Sequence, residues 1–197
     1  MKKTLFCLLL LFVFAGSILA GPFGIEMGDS LKKLEETGLV PSATSSAGYY
    51  FVTPKSTHPD FEDYLVRIDK DEGVFFIKAI GKDISDNKYG TKTKSKFDEI
   101  RKGLDRTYGS SELTDLLMPR ALWKDLDEWL MSIRQQERFH LAKWDNKTGA
   151  TLPKEYASIY LAVDALSSTK GYLVLEYYGA KHSVLSEKSK QEAASVF

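Results

Sequence analysis

The clearest pattern along the chain is a pair of period-two stretches between Tyr64 and Ile80. Tyr64, Val66 and Ile68 alternate with Leu65, Arg67 and Asp69; further on, Phe75, Ile77 and Ala79 alternate with Val74, Phe76 and Lys78. Side chains that change sides at every residue belong to strands with one face in a core. The polar stretch Asp69-Lys70-Asp71-Glu72-Gly73 between them ends in glycine and predicts the loop of a β-hairpin.

The remaining elements arrange themselves around this unit. Ser30 precedes Leu31, Leu34 and a closing Gly38, which predicts a short helix from about Ser30 to Thr37. The small, polar run Pro41 to Gly48 reads as loop, and Tyr49 to Thr53 as a strand stopped by Pro54. After the hairpin, Ser95 and Asp98 form an approximate capping box. Phe97, Ile100, Leu104 and Tyr108 then share a helical face up to Gly109. Beyond Met118-Pro119, helical spacing continues through Leu122, Leu126, Trp129, Leu130 and Ile133 to about Gln136. Phe139 to Trp144 reads as a strand, followed by a turn at Asp145 to Gly149. Ile159, Leu161, Val163 and Ala165 mark the next strand, Ser167 to Gly171 a hairpin loop, and Tyr172 to Tyr178 the returning strand. The segment from His182 to Phe197 is helix-prone with a thin apolar stripe.

This order repeats in pattern, though not in sequence, over about 21–109 and 110–197. Short connections make consecutive strands antiparallel neighbours, and amphipathic helices must cover a sheet face. The expectation is therefore a single α+β domain over residues 21–197. It has about six antiparallel strands in two helix–three-strand–helix halves, with the helices packed on one sheet face.

The first twenty residues are different material. Lys2 and Lys3 lead into the apolar run Leu5 to Ala15, and Gly16 to Ala20 ends in small residues. This reads as a secretory signal cleaved after Ala20, and the apolar run is short for a membrane span of about 20 residues. The one cysteine, Cys7, falls inside it, so the mature chain has no thiol. Removing Lys2 and Lys3 leaves 25 basic against 27 acidic residues, a net charge of −2. Such a chain lacks the basic excess of a nucleic-acid binder, and the expected location is the bacterial periplasm or the exterior.

No catalytic, metal-binding or cofactor-binding constellation emerges. His58, His140 and His182 have no metal-ligand spacing, and the nucleophile-elbow and phosphate-loop patterns are missing. Asp69, Asp71 and Glu72 do not follow the calcium-loop pattern and read as a solvated turn. A histidine–acid site across strands, His140 with Asp164 or Glu176, stays open because sequence does not give register. The aromatic residues are the other feature. Tyr160, Tyr172 and Tyr178 occupy alternate positions of two adjacent strands, and Trp144 joins them from the strand before if it shares their face. Uncovered, such residues form a rigid amphipathic patch suited to gripping a protein or a sugar. Covered by a helix, they are ordinary core, which is the commoner fate.

Gly24-Ile25-Glu26-Met27-Gly28-Asp29-Ser30, with Leu34 and Gly38 following, resembles the start of exported helix-then-sheet modules. Asp29 stands where that start has Met. Those modules include the small lipoproteins of outer-membrane assembly and the tandem-repeat β-lactamase inhibitory proteins. Phe61 through Gly109 also resembles bacterial exported proteins to which no activity is attached. The resemblance implies a non-catalytic module that binds a protein partner, and it carries over no site residues. The functional expectation is an exported binding module without cofactor, recognising another envelope or secreted protein. A periplasmic hydrolase and an envelope assembly factor are the alternatives.

Overall fold

The structure, a computed structural model, describes residues 21–39, 41–44, 48–54 and 56–194. The expected signal segment and the last three residues of the expected C-terminal helix lie outside these. Among the described residues the fold is mixed α+β, built on one antiparallel sheet. The strands are β1 (Ser42–Ala43), β2 (Tyr49–Phe51), β3 (Phe61–Asp69), β4 (Gly73–Gly81), β5 (Ile84–Ser85), β6 (Glu112–Leu117), β7 (Arg138–Asp145), β8 (Tyr156–Ser167) and β9 (Lys170–Gly179). The helices are α1 (Leu31–Glu36), α2 (Thr91–Tyr108), α3 (Trp129–Arg134) and α4 (His182–Ala194).

The sheet runs β1-β2-β3-β4-β9-β8-β7-β6, with β5 added beside β9. Nine strands replace the expected six or so, and the two halves merge into one sheet where β4 pairs with β9. The missed strands have two causes. β1 and β5 are two residues long, and Glu-Leu-Thr-Asp-Leu-Leu in β6 lies on an edge where no alternation is enforced.

One sheet face holds the main core. Val66, Ile77, Ala142, Trp144, Ile159 and Leu161 are fully buried there, together with Leu34 of α1, Phe97 of α2 and Leu130 of α3. Burying that face is the main favourable term for the sheet. α4 departs from the expected one-sided arrangement. Its Leu185 packs on Phe75, Phe76 and Tyr178, which form a separate cluster. A bulge in β4 makes room for this. Arg67 pairs with Phe76 and Ile68 with Val74, so Phe75 is an extra residue and the alternation expected through Val74 and Phe75 slips by one.

Helix boundaries also moved. α2 begins a turn before the expected Ser95–Asp98 box, because Asp86 and Asn87 accept from the N–H groups of Thr91, Lys92 and Thr93. The helix expected from Leu122 shrinks to α3 and a preceding 3-10 turn. Leu122 and Leu126 are 80 and 83 % exposed, so their spacing coincides with helix but buries nothing. Ser30 does cap α1, accepting from the Lys33 N–H at 3.2 Å.

Gly171 belongs to β9 rather than to the β8–β9 loop. A Cβ there would stand 2.8 Å from Thr93 Oγ1 and 3.0 Å from Leu130 Cδ2, so α2 and α3 approach the sheet over a missing side chain. Gly171→Ala is expected to cost about 1–3 kcal/mol. Urea unfolding checks this: the midpoint falls with an unchanged slope.

Candidate functional surface

The strand registers place directly paired residues in rows across the sheet, and alternate rows lie on the face opposite the main core. The central row of that face is Glu112 (β6), Lys143 (β7), Tyr160 (β8), Glu176 (β9), Lys78 (β4), Leu65 (β3) and Phe51 (β2). On one side runs an apolar row of Leu141, Ala162, Val174 and Ile80, with Thr114 at its β6 end. On the other side, Ser158, Tyr178, Phe76 and Arg67 form a row that α4 partly covers.

Tyr160, Tyr172 and Tyr178 all lie on this face and are half-buried. The rings of Tyr160 and Tyr178 meet edge to face at 5.4 Å, while Tyr172 sits beside Asp164, two rows from Tyr160. Trp144 does not join them. It is fully buried on the core face, and its indole N–H donates to Asp105 Oδ1 and to the Gly109 carbonyl, both at 3.0 Å. Alternation groups the three tyrosines, and only the β7–β8 register shows that Trp144 does not share their face.

Charged groups hold the tyrosines in place. The Tyr178 hydroxyl donates to Glu176 Oε2 and the Tyr172 hydroxyl to Asp164 Oδ2, each at 2.7 Å. Burial, and then the adjacent carboxylate, push both phenols above their ordinary value. Lys78 Nζ lies 3.1 Å from Glu176 Oε1, and Lys143 Nζ 2.7 Å from Asp145 Oδ2 with its ammonium 5.7 Å from the Tyr160 ring. The hydrogen bond to Asp145 raises the Lys143 pKa and lowers that of Asp145. At one end, His182 of α4 packs on Tyr178 at 4.6 Å between ring centres. Strand alternation already showed Lys78 on the Phe76 side; what it lacked was that Glu176, Tyr160 and Lys143 continue the same row.

His140 meets neither Asp164 nor Glu176, which are on the opposite face. Its partner is Asp115, paired directly across from it on β6. Nδ1 approaches Asp115 Oδ2 to 3.3 Å without the alignment of a hydrogen bond, and Arg138 Nη1 donates to the other oxygen at 2.6 Å. Phe97 and Trp129 close over the ring at 4.5 and 5.4 Å. This is the surrounding of a packed histidine, with its acid already engaged by an arginine. No group of three or more potential metal ligands occurs among the described residues, and no described helix is long and apolar enough to cross a membrane. The chain matches no protein-family model, no curated protein and no solved structure.

Burial depresses the His140 pKa despite the nearby Asp115 and Asp98 carboxylates, with Lys94 adding to the depression. Burial also depresses that of His182, with Arg67 adding to it. Each therefore favours the neutral ring when folded. Their contribution is present above the unfolded pKa of about 6.5 and is lost as pH falls from there through the folded values. Thermal unfolding between about pH 7.5 and 5 should show the midpoint dropping with acid, and His140→Gln should flatten that slope. An unchanged slope would mean that the ring is not buried neutral.

Proposed function

We propose that the protein is an exported, non-enzymatic binding module that takes a protein partner on its open sheet face. The observation that carries this reading is the uncovered stretch of that face. α1, α2 and α3 occupy the other side, and α4 reaches only the Tyr178 row before running out over the β3–β4 turn, where Lys188 bonds Asp69. What remains free of helix between Tyr160 and Tyr172 combines half-buried Leu141, Ala162 and Ile80, flanking a buried Val174, with fixed charges and phenols, the mixture that protein interfaces use.

The geometry favours a protein over a glycan. A sugar ring stacks on flat aromatic surface, and Tyr160 and Tyr178 stand 74° apart, so they share no platform. The hydrolase alternative built on His140 has less support, because Asp164 and Glu176 lie on the opposite sheet face from it.

The test is capture from envelope and secreted fractions by the immobilised chain starting at Gly21, against Tyr160→Ser/Tyr172→Ser. Tyr178 is left intact because it supports α4. The expected result is a protein held by the wild type and reduced at least about tenfold by a variant with an unchanged circular dichroism spectrum. Equal capture by the folded variant would put the binding surface elsewhere.

A further inference from the structure

The central row of the open face has a charge order with a symmetry of its own. From β6 to β4 it reads Glu112, Lys143, Tyr160, Glu176, Lys78: negative, positive, neutral, negative, positive. Reflected about Tyr160, every charge falls on its opposite. Lys143 changes places with Glu176 and Glu112 with Lys78, while Tyr160 meets itself.

That is the condition for an isologous contact, in which one patch is its own complement under a two-fold rotation. An axis lying in the face along β8 produces this reflection when a second copy is turned over onto the first. The apolar row obeys the same operation. It sets Leu141 over Val174, Ala162 over Ala162 and Thr114 over Ile80. We propose that two copies of this chain pack face to face through the open sheet face, about a two-fold axis along β8 at Tyr160. This rests on the reading of that face as the binding surface and names its partner as a second copy.

One further observation agrees, and two limits on the contact follow. The charges are already held, since Lys78 and Glu176 bridge at 3.1 Å and Lys143 and Asp145 at 2.7 Å. Adding the opposite pair from the second copy extends two ion pairs into networks and orders few new side chains. α4 covers the neighbouring Tyr178 row, where His182 and Leu185 pack, and then leads past Arg67 toward Asp69, so the contact cannot extend to that side. Facing sheets pack about 10 Å apart and turned by about 30°, which displaces the outer Glu112–Lys78 contacts more than the inner Lys143–Glu176 contacts. The inner pair is therefore the one to test. At the Asp164 end the axis brings like charges together, so close contact centres on the Tyr160 and Ala162 rows.

The size of the overlap sets the strength. Five strands about 4.8 Å apart and two rows about 6.8 Å apart cover about 330 Å² on each copy. A total of about 650 Å² is below the range of stable specific interfaces, so the contact is a weak one that forms only at high protein concentration.

Sedimentation velocity from about 1 to 200 µM reads this directly. The wild type should shift from monomer to dimer. Lys143→Glu alone opposes two glutamates, and Glu176→Lys alone opposes two lysines, so each should weaken the dimer at least about tenfold. An equimolar mixture of the two variants restores both contacts and should recover the dimer. Tyr160→Arg, which places two cations on the axis and leaves the flanking pairs intact, should weaken it too. A wild type that stays monomeric overturns the proposal, as do variants that dimerise like the wild type or a mixture that does no better than its components. Capture of a different protein that is lost with Tyr160 and Tyr172 would keep the binding reading even if the chain is monomeric. Failure of both experiments would remove both readings.

Discussion

Antiparallel pairing of β4 with β9 is the constraint on which the rest depends. It joins Phe76–Ile80 to Tyr178–Val174 and makes two strand meanders one sheet. Because side chains alternate with period two, a slip of one residue there would exchange every inward and outward position of one half relative to the other. The observed register sets Ile77, Ala79, Leu175 and Tyr177 under the helices. The same register brings Lys78 beside Glu176 on the open side. Core and surface row are two consequences of one alignment.

The core side is then sealed by polar contacts as well as by area. Trp144 gives its indole N–H to Asp105 and to the Gly109 carbonyl, and Asp105 also accepts the Ser111 N–H and pairs with Arg101. The end of α2 is thereby tied to β7 and to the start of β6, and a buried donor is satisfied that would otherwise cost about 1–3 kcal/mol. His140 completes the same layer nearer the edge. The two outer strands carry the usual protection against unwanted pairing: β1 is two residues long, and β6 has Glu112 and Asp115 among its leucines.

How much of this was readable in advance varies with the range of the interaction. The α1 cap at Ser30 and the existence of the β3–β4 hairpin follow from neighbours within a few residues and are present. However, β3 begins at Phe61, and the bulge at Phe75 shifts the alternation that the pattern predicts for the start of β4. α2 started early because its capping groups, Asp86 and Asn87, sit before a glycine that hides the helix start. The Leu122–Leu126 spacing misled because periodicity records spacing and not burial. Among the candidate surface residues, the tyrosines were visible as a set. Trp144 was assigned to them for lack of the β7–β8 register, and His140 was offered the wrong acids for the same reason.

Alternation within each strand is a property of the backbone, so the chain alone decided which residues travel together: Tyr160 with Ala162, Tyr172 with Val174 and Glu176. It also settled the α+β character, through the two periodicities it mixes. Pairing across strands and the choice of covered face came from contacts between residues far apart in sequence. Lys143, Tyr160, Glu176 and Lys78 form one row, and α4 lies on that side, only because nonlocal burial selected one register among those the local pattern allowed.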